Sequence, residues 1–260
     1  MSPLDADKTR RLRRHKYLYS ASKVVYRSVM GVYRRVQYIY LKHILSSEKL
    51  PRSLVDPSAK VDSTAFVAEC GVVIGEGSVV GPRAVILKNS TIEKDVTIGS
   101  GAVVGGDGFI CFRSLRSIIP KLSRGRVRIS EGARIGDRAC IDKGSEKGAY
   151  TVIGRDCSVG DAVHLAHDVD LGSESVVESG AMISGYVTLG RQVFVGKNAS
   201  ISNRLRVGDQ TRIKAGAIVT TDIASRSALS GDLAVNAGKG VRPQGSTAGG
   251  ESTERKKRTQ

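Results

Sequence analysis

A hydrophobic period of six governs the middle of the chain. The series Ile129, Ile135, Ile141, Lys147, Ile153, Val159, Leu165, Leu171, Val177, Ile183, Leu189, Val195, Ile201, Val207, Ile213, Val219 places Ile, Leu or Val at fifteen of sixteen positions. An α-helix repeats every ~3.6 residues and a strand every ~2, so neither produces this pattern. A short fixed period belongs to the stacked coils of a parallel β-solenoid. Each hexad is then one flat face with its aliphatic residue pointing inward. Glycine often follows, as in Ile135-Gly136, Ile153-Gly154, Val159-Gly160, Leu171-Gly172, Leu189-Gly190, Val195-Gly196 and Val207-Gly208. A Cβ there would crowd the corner. Three hexads make a triangular coil of about eighteen residues, and residues one coil apart sit about 4.8 Å from each other. Chemistry in such a chain is read in steps of eighteen.

An earlier register begins with Val55, Val61 and Val67, slips by one residue, and continues through Ile74, Val80, Ile86, Ile92, Ile98 and Val104. The solenoid is therefore expected over residues 51–237, beginning near residue 53 and closing on an irregular coil over 225–237. Two breaks interrupt it. Gly105-Gly106-Asp107-Gly108-Phe109 opens an aperiodic insertion over 106–126. A break of this length in a regular scaffold is either a functional loop or a tolerated surface insertion. The second surrounds Lys147, the one polar inward position, and reads as a shorter loop out of a corner.

Composition adds limits. With no Trp, four Phe and 30 Gly, the chain suits a narrow core of Val and Ile layers. The four cysteines, Cys70, Cys111, Cys140 and Cys157, lack paired or metal-ligand spacing and are expected as buried small hydrophobes in a reducing compartment. No signal-peptide pattern and no apolar run of about 18 residues is present. The net charge of +16 sits at the ends: residues 1–49 hold twelve Lys/Arg against three Asp/Glu, and residues 239–260 hold six against two. The solenoid itself is near neutral, so overall basicity does not make this a nucleic-acid-binding protein.

Residues 1–50 read as a basic, Tyr-rich amphipathic helical segment. Leu18, Val25, Val32 and Ile39 recur every seven residues with Tyr19, Tyr26, Tyr33 and Tyr40 beside them, among Lys23, Arg27, Arg34, Arg35 and Lys42. Three readings of residues 8–45 stay open: a cap on the solenoid end or on a neighbouring subunit, a helix lying on an anionic membrane surface, and nucleic-acid binding, for which no base-stacking geometry is evident. Residues 238–260, rich in Gly, Ser and Lys, are expected to be a disordered basic tail.

The chemistry-bearing stretch is His164-Leu165-Ala166-His167-Asp168. Leu165 points inward, so His164 and His167 belong at or near the outer surface. An imidazole there is a candidate general base, with Asp168 placed to bias it; the competing reading is two solvated histidines. Metal binding is not expected, because no Cys or His stands at 146–149 or 182–185. One step of eighteen from His167 is Gly185, and another is Asn203, followed by Arg204. A bare glycine above a base leaves room for substrate and offers its N–H to an oxyanion.

These residues resemble a family. The hexads are similar to those of the left-handed parallel β-helix acyltransferases. The closer resemblance is to the UDP-3-O-acylglucosamine N-acyltransferases of lipid A synthesis. It rests on Gly106-Asp107-Gly108-Phe109, on Ile119-Pro120-Lys121 to Gly125-Arg126-Val127, on Cys140-Ile141-Asp142-Lys143-Gly144 with Thr151-Val152-Ile153-Gly154, and on Leu165-Ala166-His167. His164-Leu165-Ala166-His167-Asp168 also resembles the related O-acyltransferases acting on UDP-N-acetylglucosamine. The resemblance covers roughly residues 53–236. It implies a homotrimer with active sites between subunits, no bound cofactor, and a thioester donor on acyl carrier protein or coenzyme A. The acceptor would be an amine or hydroxyl of a nucleotide-linked sugar. It makes His167 the base, with Asp168 beside it, and Gly185 the oxyanion donor. It also sets Asp107, Phe109, Asp142, His164, Asn203 and Arg204 along the substrate groove. The expected location is the cytoplasm, at the inner membrane surface if residues 8–45 bind lipid. The sequence departs from the family in three places. No uridine-binding domain precedes the solenoid, Arg204 stands where a second active-site histidine is expected, and the C-terminal carrier-docking helices are missing. These departures keep a rival open: a non-catalytic scaffold tethered by its basic N-terminal helix.

Overall fold

The computed structural model describes residues 50–114, 117–230 and 235–236. The helical segment expected over 8–45 and the tail from 238 lie outside the described residues. Within them the fold is a left-handed parallel β-helix of hexapeptide repeats, and no residue is helical. Three parallel sheets form the faces. The first runs from Leu54–Val55 to Arg206–Val207, the second from Lys60–Val61 to Ala228–Ser230, and the third from Phe66–Val67 to Ile218–Val219.

The period of six places the core. All fifteen aliphatic members of the series from Ile129 are buried, each at 3 % exposure or less. From Ile74 onward the earlier register is buried too, whereas Val55 in the first coil is 43 % exposed, because no coil of the solenoid precedes it. Removing each Ile, Leu or Val side chain from water contributes about 1.5–3 kcal/mol, and the stack repeats that contribution coil after coil.

The glycines that follow inward residues are there for space. A Cβ on Gly136, Gly154, Gly160, Gly172, Gly190, Gly196 or Gly208 would stand closer than 3 Å to atoms of the next coil. The left-handed backbone falls two residues later, and mostly on other residue types: Arg138, Asp168, Tyr186 and Arg204 have φ of 56°, 60°, 62° and 65°.

Register shows where the solenoid is regular. The first step is nineteen residues, Val55 to Ile74, as the slip requires. From Val152 onward it is eighteen: Val152 to Asp170, Asp170 to Thr188, Thr188 to Arg206. Between lie two longer steps, Ser90 to Val127 and Arg126 to Tyr150. They mark the two insertions. The longer one is not wholly irregular. Cys111–Ser114 pairs antiparallel with Ser117–Pro120, a hairpin that the six-residue period does not reveal. At the far end Ala228–Ser230 stacks on Arg212–Ile213 after sixteen residues, and Val235–Asn236 adds to it antiparallel.

Candidate active site

The two insertions are bonded to each other and fold over Asp142. Gly125 donates its N–H to Gly144 O at 2.8 Å, and Lys143 N donates to Gly106 O at 2.9 Å. Lys121 pairs with Glu146, and Ser123 donates its hydroxyl to Asp107 O. Lys143, its side chain only 7 % exposed, holds Asp107 Oδ1 at 2.7 Å. A buried ammonium is stable only when paired in this way. Asp107 is thus turned to Lys143 and fixes the loop. The glycines on either side of it admit the carboxylate of Asp142: Gly108 has φ +68°, and a Cβ there would lie 3.1 Å from Asp142 Oδ2. Only glycine takes both that conformation and that approach at low cost.

Asp142 is 8 % exposed and accepts from His164 Nε2 at 2.8 Å. That bond, with the carboxylate's charge, raises the pKa of His164 against the opposing effect of burial. Phe109, 91 % exposed, stands at the mouth of a groove of about 400 Å³ lined also by Arg138, Cys140, Asp142 and His164. His167 is not in that lining. It occupies the corner that follows His164 along the coil.

At that corner His167 Nδ1 lies 2.8 Å from Asp168 Oδ2. A carboxylate only accepts, so Nδ1 carries a proton, and in the neutral ring the lone pair is on Nε2. Asp168 also accepts from Ser145 N, and its own N–H donates to Thr151 Oγ1 at 2.9 Å. Gly185 lies against the imidazole, where a Cβ would fall 2.5 Å from Cε1 and 2.7 Å from Nε2. At some other corners the equivalent N–H is capped by a side chain of the next coil: Asp137 N by Asp161, Asp161 N by Ser179, Arg191 N by Asp209. Among the described residues no side chain caps Gly185 N in this way. Arg204 N reaches Gly185 O at 3.0 Å, and the Arg204 guanidinium lies 5.1 Å from the Tyr186 ring centroid. Asn203 and Arg204 are both exposed.

The structure brings His167, Asp168 and Gly185 together at one corner and Asp142, His164 and Phe109 together in the groove. Two expectations need correction. The coil neighbour of His164 on the earlier side is Cys140, not a residue at 146–149, because the short insertion lengthens that step; on the later side it is Met182. Among the described residues no three His, Cys, Asp or Glu gather as a metal site. The cysteines are also not uniformly buried. Cys157 is enclosed, its thiol pushed up to about 11 by burial. Cys140 points outward because the next residue, Ile141, is the inward one, and it is exposed.

Sequence reasoning missed Lys143, Ser145 and Tyr186. Tyr186 could have been found, since it is eighteen residues from Asp168. Ser145 lies inside the insertion, where the step fails.

With this geometry in hand, comparisons with known proteins add the following. Residues 71–106 match the bacterial transferase hexapeptide family, six repeats. No curated protein sequence matches the chain. Among solved structures it is similar to the UDP-N-acetylglucosamine acyltransferase from Campylobacter jejuni, 23 % identical over 72 % of each chain, TM-score 0.58. It is also similar to the UDP-N-acetylglucosamine acyltransferase of Francisella novicida, 23 % identical over 68 % of this chain and 64 % of that one, TM-score 0.55. The enzyme from Bacteroides fragilis is 22 % identical over 72 % of this chain and 73 % of that one, TM-score 0.55. At these identities the likeness establishes a shared fold.

Proposed function

We propose that the protein transfers an acyl group from a thioester, carried by acyl carrier protein or coenzyme A, to an amine or hydroxyl of a sugar. The observation that carries this reading is the His167 ring, held by Asp168 at Nδ1 and lying against the bare Cα of Gly185. His167 Nε2 takes the proton of the attacking group as it adds to the thioester carbonyl. The oxyanion forms beside the Gly185 N–H. The tetrahedral intermediate then expels the thiolate, which recovers the proton from His167. Transfer is direct, since among the described residues no Ser or Cys side chain is bonded to His167 as a nucleophile.

The acceptor is a nucleotide-linked sugar, the class named in the similar structures. Its groove is the one between Phe109, Arg138 and His164, with Asp142 fixing the imidazole and Asp107 fixing the loop. Asn203 and Arg204 extend the His167 corner by one coil and supply polar and cationic contacts to the donor or acceptor. The working form is a homotrimer in the cytoplasm, with each site between subunits and no bound cofactor.

The test is release of free thiol. Purified protein is mixed with acetyl-CoA or a long-chain acyl carrier protein and a panel of UDP- and dTDP-linked sugars. Release that requires an acceptor supports the reading and identifies donor and acceptor. No release from any pair, in protein shown to be a folded trimer, contradicts it.

A further inference from the structure

The corner holding His167 is more constrained than a base and its carboxylate require, and the added constraint comes from residues with no part in the transfer. Tyr186 meets the imidazole edge-on, ring centroids 5.0 Å apart and planes at 83°. Its hydroxyl lies 3.0 Å from Ser145 Oγ. Ser145 is fully buried, and its N–H reaches both oxygens of Asp168 at 3.2 and 3.1 Å. The contacts close a ring: His167 to Asp168, Asp168 to Ser145, Ser145 to Tyr186, Tyr186 back to His167. Three of the four links are hydrogen bonds. The fourth is a tilted aromatic contact, a geometry that aromatic pairs favour.

We infer that Tyr186 and Ser145 are positioning residues for His167: together they fix the rotamer and tautomer of the imidazole, so that Nε2 stays against Gly185. The argument is one of freedom. A histidine at a coil corner has two side-chain torsions, and one bond to a neighbouring carboxylate leaves the ring able to swing with it. Gly185 gives no side chain to stop that motion. Tyr186 blocks the edge that Gly185 leaves open, and Ser145 prevents the Asp168 carboxylate from turning. The Tyr186–Ser145 bond also ties the regular coil to the short insertion, so that the insertion, not the coil alone, sets the geometry of the base. Loss of this support should misplace the ring without removing it.

The inference rests on the acyl-transfer reading for its kinetic consequence but not for its structural one, and the experiment separates the two. The ¹⁵N signals of the imidazole in the full-length protein report the tautomer, with the His167 signals identified by their loss in His167→Gln. In the wild type at about pH 8 the signals should show a single Nδ1-protonated form. Tyr186→Ala should average the two tautomers, and should lower kcat about tenfold through misplacement with KM within about twofold. Tyr186→Phe and Ser145→Ala each remove one hydroxyl and keep the ring or the amide; each should give a smaller shift of the same kind. Fixed tautomer signals in a folded Tyr186→Ala variant overturn the inference. Should that variant not fold, wild-type signals in both conservative variants overturn it. Should no donor and acceptor react, the acyl-transfer reading fails, and the tautomer measurement alone decides the positioning.

Discussion

The coils after Thr151 and the coils between Ser90 and Tyr150 are made from the same hexads, yet they do different work. As far as Val219 the later ones repeat every eighteen residues without interruption. They stack identical corners, and alone they place His167, Gly185 and Asn203 in one column and Asp168, Tyr186 and Arg204 in another. The earlier ones are broken twice, and the two insertions bond to each other across the break. The regular part supplies position at low cost, since each coil is built on the one before. The broken part supplies what a repeat cannot: a buried carboxylate at Asp142, a buried cation at Lys143 and an exposed ring at Phe109. The candidate site lies where the two meet, with Ser145 reaching from the insertion to Asp168 on the first regular corner.

The largest expected effect tests the regular side. In Gly185→Ala the atoms nearest the new Cβ are those of the His167 ring, so activity should fall about 10²-fold through misplacement of the base with little change in melting temperature. Gly172→Ala, whose Cβ would meet the backbone of Gly190 instead, should destabilise the fold and leave turnover per folded molecule intact. Kinetics and thermal melts of the two variants measured together check the contrast. Equal loss of activity in both would erase the distinction between scaffold and site.

A middle-sized effect tests the broken side. Lys143→Met removes the buried cation from Asp107, whose side chain is 49 % exposed and can take up water. Stability should drop by about 1–2 kcal/mol, less than for a pair whose surviving partner stays buried. Loosening of Gly106–Phe109 should raise acceptor KM about tenfold with kcat held, the pattern of lost ground-state binding. A fall in kcat at unchanged KM would instead tie the loop to the chemical step.

The smallest effect is a pH dependence. Asp142 raises the pKa of His164. A raised folded pKa means that the contribution to stability is fully present below the unfolded value, about 6.5, and is lost as pH rises through the folded value. Thermal melts of wild type and His164→Gln should therefore differ most on the acid side, by about 2 °C given the half-exposed ring. The gap should close on the alkaline side. A gap that widened with pH would contradict the assignment.

How much could be read in advance follows the same division. Ile129 through Val219 could be read as core because burial in a solenoid depends only on place in the hexad. His167, Gly185 and Asn203 could be aligned because nothing interrupts the chain between them. Ser145 could not, since it lies inside the short insertion, where the count fails. The Cys111–Pro120 hairpin was hidden because antiparallel pairing leaves no mark on a period of six. Cys140 was misread because residue type was weighed above place: the position before an inward residue faces out whatever stands there. The resemblance sets Asp107 along the substrate groove; its carboxylate is held by Lys143, a contact that no period in the sequence reveals.

The most direct test of the central claim is single-turnover thiol release by wild type and His167→Ala with whichever donor and acceptor react. A folded His167→Ala variant should bind both substrates and release thiol at least about 10²-fold more slowly, the loss expected for a positioned general base. Undiminished release by that variant would remove His167 from the mechanism, and with it the reading of this corner as the catalytic one.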